Sequence, residues 1–278
     1  MDMPSRSPLY DPSVALAFFE STGKREKVPA GTKFFAEDDK NNRIFFHRDK
    51  MYLLVEGEVS LAVGHETLGT VTKGQIFGEM TAITQLPRSA TALAKTDCSV
   101  IALDDKQFRA ALAKQPAFAL MLMSIMVGRL RETIGRLRVA NALQGSDALE
   151  QSAAFDPKRL AELVAKLSDD PPAYFDRRKP IVQEGQVGTR MYVVLEGTVA
   201  VFLGGKVVER LGPGGVFGEL ALIEQQPRLA SVNAETDCSV QPVNRASFLA
   251  LVESSPEFAA TLLTKLAERL RNLTSRLR

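Results

Sequence analysis

Two kinds of apolar pattern alternate along the chain. Met51 to Val63 and Met191 to Leu203 are rich in β-branched and aromatic residues and are broken by the Glu-Gly pairs at 56–57 and 196–197. Val71-Thr72-Lys73-Gly74 and Leu211-Gly212-Pro213-Gly214 mark further turns, so these regions read as short strands punctuated by glycine. Many short strands of this kind predict a jelly-roll barrel. After each strand region the period changes. Asp104 or Asp105 can cap a helix from Lys106 to Lys114, and Pro116 ends it or starts the next. The final helical stretch carries Leu263, Leu266, Leu270, Leu273 and Leu277, spaced three and four apart as in a heptad seam. Met123, Met126, Leu130, Thr133 and Leu137 fill the same positions earlier in the chain. Such a helix needs a cover: its own barrel, the other helix of the chain, or a second chain in a homodimer.

Sliding the sequence by 140 residues aligns Met51–Arg138 with Met191–Arg278 without a gap, and roughly a third of the positions are identical. Thr96-Asp97-Cys98-Ser99-Val100 recurs as Thr236-Asp237-Cys238-Ser239-Val240. Tyr10-Asp11-Pro12 and Phe155-Asp156-Pro157 correspond at another offset, each offering an Asp cap and a Pro for the first helical position. Residues 38–50 are longer than their counterpart and read as an extended hairpin. Gly145 is expected to stop the first long helix, with 146–155 as connector. The fold class is α+β, mainly β: two tandem jelly-roll domains, 1–145 and 146–278, each with flanking helices and a long C-terminal helix.

Composition narrows the function. A chain of 278 residues with 45% apolar residues can bury a proper core. A net charge of +2 excludes a broad basic face for non-specific nucleic-acid binding, although arginines gather near 129–138 and 269–278. No secretion signal starts the chain, and the apolar run Ala117–Val127 is too short to cross a bilayer. A cytoplasmic protein without membrane contact is expected. Cys98 and Cys238 occupy equivalent strand positions and read as small buried core residues.

The chemistry gathers in a cassette that occurs twice. Phe77-Gly78-Glu79-Met80 leads to Pro87-Arg88-Ser89-Ala90, and Phe217-Gly218-Glu219-Leu220 leads to Pro227-Arg228-Leu229-Ala230. Glycine lets the backbone turn closely, and the helical turn at 80–83 points N–H groups outward toward an anion. A glutamate there can accept hydrogen bonds from a sugar hydroxyl. An arginine can meet two phosphate oxygens with its planar fork, and Ser89 adds a hydroxyl. The set suits a small phosphorylated sugar.

With these residues the chain resembles the cyclic-nucleotide-binding domain family, which includes the catabolite activator protein and the regulatory subunits of cyclic-AMP-dependent protein kinase. The resemblance covers nearly all of the chain as two tandem domains. It implies that Glu79 and Glu219 bind a ribose 2′-hydroxyl and that Arg88 and Arg228 bind the cyclic phosphate. Further donors would come from the backbone around Gly78, Met80, Ser89 and Ala90, and around Gly218, Leu220, Leu229 and Ala230. Phe108-Arg109, Pro116, Arg129-Leu130 and Thr133 follow the activator's helical spacing, and Thr133 falls where a helix threonine meets the adenine amino group. Cyclic AMP is the expected ligand, with cyclic GMP the alternative at the second site. There Leu273 replaces the threonine, with Thr274 beside it, and Leu229 stands where the family has Ser, Thr or Ala.

The expected role is a sensor that signals to an unidentified effector protein by helix rearrangement. It is not expected to be an enzyme. His47 and His65, the only histidines, lie in the insertion and a turn and are not repeated, which argues against a metal site. DNA reading is not expected, because no helix-turn-helix follows either long helix. Kinase inhibition finds little support in Arg6-Ser7, the only basic residue before a small one near the start. Two alternatives remain: a scaffold with one or both pockets degenerate, and a regulator that touches nucleic acid or an acidic protein through its arginine-rich helix ends.

Overall fold

The computed structural model describes residues 11–38, 50–140, 151–167 and 170–277. Most of the expected hairpin at 38–50, His47, Arg6-Ser7 and the Gly145 helix stop lie outside the described residues. So does the boundary between 145 and 146.

By packing, the chain divides into two compact units. One comprises Met1–Ile134 with Leu263–Arg278, and the other comprises Gly135–Leu262.

In the first unit Asp11 accepts from the Ser13 N–H at 2.8 Å and caps α1 (Pro12–Thr22), with Pro12 at the first position. Eight strands follow, interrupted by one short helix: β1 (Lys24–Val28), β2 (Lys33–Phe35), β3 (Lys50–Glu56), β4 (Val59–Val63), β5 (Glu66–Val71), β6 (Ile76–Phe77), α2 (Glu79–Thr84), β7 (Thr91–Ala94) and β8 (Cys98–Asp104). They form two antiparallel sheets, ordered β1-β8-β3-β6 and β2-β7-β4-β5. β4 buries alternate residues, as a strand with one face on the core must, while the apolar run of β3 is buried almost throughout. Leu54, Val59, Leu61, Phe77, Ala92 and Val100 are among the side chains that fill the space between the sheets. Tyr52 stacks on Phe77 with ring centroids 5.0 Å apart.

Asp104, the first of the two expected caps, closes a capping box with Gln107 and starts α3 (Asp105–Leu112). Pro116 opens α4 (Pro116–Val139). Its seam residues Met123, Met126, Leu130, Thr133 and Leu137 are all buried.

The second unit repeats this architecture with one addition. After β9 (Gln151–Ser152), Asp156 caps α5 (Pro157–Ala165) through the Arg159 N–H at 2.9 Å. Then come β10 (Ala173–Phe175), β11 (Pro180–Val182), β12 (Arg190–Glu196), β13 (Val199–Leu203), β14 (Lys206–Leu211), β15 (Val216–Phe217), α6 (Glu219–Glu224), β16 (Ser231–Ala234), β17 (Cys238–Asn244) and α7 (Arg245–Ser254), followed by α8 (Pro256–Thr274), whose residues from Leu263 onward count with the first unit. The sheets run β10-β17-β12-β15 and β11-β16-β13-β14-β9, where β9 adds a parallel edge to β14. Tyr192 stacks on Phe217 at 5.2 Å, the counterpart of Tyr52 on Phe77. One strand differs: Gln241 and Pro242 stand where the first copy has Ile101 and Ala102. The β10 ladder stops at Val240, whereas β1 continues to Ala102, and Gln241 donates from Nε2 to the Asp170 carbonyl at 2.6 Å. A proline cannot donate to a ladder, which fits the shorter partner strand.

The fold is thus mainly β with helices, in two tandem jelly rolls, as expected. Cys98 and Cys238 are both buried and free. Among the described residues no single helix is long and apolar enough to cross a membrane.

Candidate functional site

Each cassette spans a strand end, a short helix and the loop after it. In the first, Phe77 ends β6 fully buried, and Gly78 adopts φ 75° as the cap of α2. That left-handed turn requires glycine. A Cβ there would stand 3.0 Å from the Phe35 ring, 3.1 Å from the Lys50 oxygen and 3.2 Å from Arg88 Nη1. The expected helical turn at 80–83 is the six-residue α2, with Met80 half-buried on it.

Glu79 is 1% exposed. Its Oε1 accepts from Arg129 Nη1 on α4, and the other terminal nitrogen of Arg129 donates to the Ile76 carbonyl at 2.7 Å. The Glu79 Oε2 is buried with no hydrogen-bond partner among the described residues. A buried carboxylate oxygen without a donor is costly, and a ligand hydroxyl delivered to that atom would relieve it.

Arg88 is buried in the same unit. Its Nη1 donates to the Gly78 carbonyl and its Nη2 to the Lys50 carbonyl, both at 2.9 Å, and its guanidinium carbon lies 4.1 Å from the centre of the Phe35 ring. Two carbonyls and one aromatic face fix the plane of the fork. Ser89 and Ala90 follow, half-buried. Thr133 is 7% exposed, one turn beyond Arg129 on α4.

The second cassette reproduces this geometry at the 140-residue offset. Gly218 has φ 83°, and Glu219 is 1% exposed. Arg228 donates from Nη1 to the Gly218 carbonyl at 2.6 Å and from Nη2 to the Arg190 carbonyl at 2.5 Å. Phe217 is buried, and Leu220, Leu229 and Ala230 are half-buried. The space is tighter than in the first copy. A Cβ on Gly218 would come within 2.7 Å of Arg228 Nη1, and one on Gly188 within 2.0 Å of Arg228 Nε. Burial lowers the pKa of Arg228 from the ordinary guanidinium value, against the opposing pull of Tyr192 and Glu219. A desolvated cation of this kind gains from an anion brought to it.

The sequence reading missed the partners that hold these groups. Arg129 was visible only as a spacing match, though an arginine recurs at 269, and a basic residue one turn before Thr133 could have been tied to the acid. Phe35 and the carbonyls of Lys50 and Arg190 left no signal, since any residue supplies a carbonyl.

The model for the cyclic nucleotide-binding domain matches residues 25–115 and 172–255. The chain belongs to that family. A curated relative, the cAMP-dependent protein kinase regulatory subunit of Eremothecium gossypii, is 28% identical over 205 residues, 73% of this chain. The chain spans 40% of that relative's length. Among solved structures, the regulatory domain of Toxoplasma gondii PKA with cAMP is 24% identical, with 93% of this chain and 90% of that one covered and a TM-score of 0.32. The Thermus thermophilus catabolite activator protein is 33% identical, with 44% of this chain and 59% of that one covered and a TM-score of 0.39. Both domain matches enclose their cassettes, so the family assignment and the repeated geometry bear on the same residues. Among the described residues no group of three or more His, Cys, Asp or Glu could hold a metal ion.

Proposed function

We propose that both units bind a cyclic nucleotide, cyclic AMP in the first instance. Glu79 and Glu219 accept from the ribose 2′-hydroxyl, and Arg88 and Arg228 bind the cyclic phosphate. The observation that carries this reading is the matched pair of buried forks. Arg88 and Arg228 each lie on the carbonyl of the cassette glycine and on a second carbonyl 140 residues apart, beside an acid that is 1% exposed. Buried acid and arginine on one short turn have no use in a barrel core, where apolar residues would pack at lower cost. They suit a ligand that brings hydroxyl and phosphate together.

Phe77, Gly78, Met80, Ser89 and Ala90, with Phe217, Gly218, Leu220, Leu229 and Ala230, shape the two cradles, and Thr133 faces the base at the first site. Cyclic GMP is the alternative ligand at the second. The protein is a regulator rather than an enzyme. It works in the cytoplasm and passes its signal to an effector protein. The route out of the first site is Arg129: a ribose hydroxyl that donates to Glu79 changes what the carboxylate offers Arg129, and α4 carries that change.

Calorimetric titration of the chain with cyclic AMP and cyclic GMP tests this reading. Arg88→Ala and Arg228→Ala should each silence one site, with losses of about 2 to 5 kcal/mol, or roughly thirtyfold to several thousandfold in affinity. Two unchanged sites in either variant would remove the assignment.

A further inference from the structure

Outside the cassettes, the helices of the second unit leave a cleft between α5, the end of α7 and the start of α8. It encloses about 380 Å³ not filled by atoms, part of it open solvent. Phe155, Leu163, Leu251 and Phe258, all buried, form its floor. Counted from the caps Asp11 and Asp156, Leu163 stands where α1 has Phe18, and at the 140-residue offset Thr261, which also lines the cleft, stands where α4 has Met121. Phe18 is fully buried and lies face to face on Phe118, with ring centroids 3.4 Å apart, and Met121 is 1% exposed. The first unit thus fills this place with an aromatic ring and a thioether. Leu163 and Thr261 are too small to do so, and Phe258, the counterpart of Phe118, stacks instead on Phe155 at 5.8 Å.

The rim differs together with the floor. Arg159, Glu162 and, at the C-terminal cap, Lys166 line the cleft from one face of α5, at the three- and four-residue spacing of a helix. Glu257 lines it from the first turn of α8. Their counterparts in the first unit are Val14, Ala17, Ser21 and Ala117, none of them charged. Arg159 meets Asp156 at 3.5 Å, an exposed contact of little strength, and among the described residues Glu162, Lys166 and Glu257 form no ion pair. The α5 wall therefore offers two cations and an acid, and the α8 wall offers an acid.

This lining selects by charge and by length. A phosphate ester would set its negative charges against Glu162 and Glu257, and an amine alone would meet Arg159 and Lys166. A long acyl chain needs a longer apolar track than Phe155, Leu163, Leu251 and Phe258 provide. A small zwitterion with one apolar side group matches every part, its carboxylate toward Arg159 and Lys166, its ammonium toward Glu257 and its side group on the floor. An aromatic ring suits the phenylalanines there.

We propose that this cleft binds a free α-amino acid with an aromatic side chain. The residues involved belong to the second unit alone and are separate from the cassettes. A ligand held by Lys166 on one side and Glu257 on the other ties α5 to the elbow at Ser255 between α7 and α8.

The test is equilibrium dialysis of the full chain against labelled L-phenylalanine, with L-phenylalanine amide and N-acetyl-L-phenylalanine as competitors. L-Phenylalanine should bind saturably with a Kd of about 1 mM or tighter. The amide, which has no carboxylate, and the N-acetyl derivative, which has no ammonium, should each compete about threefold less well, the size of one exposed charge contact. Leu163→Phe and Thr261→Met restore the residues that pack this place in the first unit, and each should lower the affinity about tenfold by filling the floor. Thr261→Met, the smaller change, carries the test if Leu163→Phe does not fold. Lys166→Ser should weaken L-phenylalanine about threefold and leave the amide unchanged. No saturable binding up to about 10 mM, unchanged affinity in a folded Leu163→Phe or Thr261→Met, or an equal effect of Lys166→Ser on L-phenylalanine and its amide would overturn the proposal.

Discussion

Arg129 donates to the carboxylate of Glu79 across the gap between α4 and α2, and both side chains are largely withdrawn from water. A pair of this kind is more costly to break than it is stabilising to make, because one partner removed leaves a buried charge behind. Arg129→Met should therefore destabilise the first unit by about 3 to 5 kcal/mol, and adding Glu79→Gln should return part of the loss by removing the stranded charge. Hydrogen exchange across α2 and α4 would locate the effect. Equal protection in Arg129→Met and the parent would show that the pair carries no such energy.

The two cassette glycines should tolerate alanine unequally. Both have positive φ, which costs an L-residue about 1 to 2 kcal/mol, but the intruding Cβ stands 3.2 Å from the guanidinium in the first copy and 2.7 Å in the second. Gly218→Ala must push Arg228 off its carbonyls, whereas Gly78→Ala needs only a small shift. Ligand affinity should fall further at the second site than at the first, read by titrating each variant. A larger loss in Gly78→Ala would contradict this ranking.

Much of the fold was legible because two periodicities and one internal offset encode it. The strand runs, the Asp-Pro caps of α1 and α5 and the paired long helices follow from local chemistry that acts over a few residues. The cassette was legible because its spacing recurs. What escaped the sequence depends on distance. Phe35 lies under Arg88 and Lys50 offers it a carbonyl only once β2, β3 and the cassette are assembled, and backbone carbonyls leave no trace in residue identity. The heptad spacing of residues 263–278 left three covers open, their own barrel, the other long helix or a second chain, and the spacing alone cannot choose among them; these residues cluster with the first unit.

Burial raises the thiol pKa of Cys98 and of Cys238. The thiolate is the reactive form, so at pH 7 to 8 each thiol should react far more slowly than a free cysteine, whose pKa is about 8.5. The rate should still be climbing above that pH. Iodoacetamide labelling followed by mass spectrometry should find little modification of the native chain and two labelled cysteines after denaturation. Rapid labelling of either residue at pH 7 would place it outside the core.

In the proposed sites, Leu229 distinguishes the second from the first. Ser89 follows Arg88 and would offer a hydroxyl to the ligand, whereas Leu229 follows Arg228 with a larger apolar side chain. The Leu229 carbonyl accepts from Arg138 Nη2 at 3.3 Å, a main-chain contact that survives any substitution there. Arg138 also pairs with Glu184 at 2.6 Å, but the pair is about one-third exposed and contributes no more than about 1 kcal/mol. Leu229→Ser therefore alters the rim while leaving the backbone anchored. A hydroxyl placed on a charged phosphate should tighten cyclic AMP binding at the second site by about 1 to 2 kcal/mol, some five- to thirtyfold. Titration in the Arg88→Ala background isolates that site. An affinity unchanged or weakened by Leu229→Ser would mean that the rim side chain does not limit the second site, and that the tighter packing of Gly188 and Gly218 around Arg228 sets its strength instead.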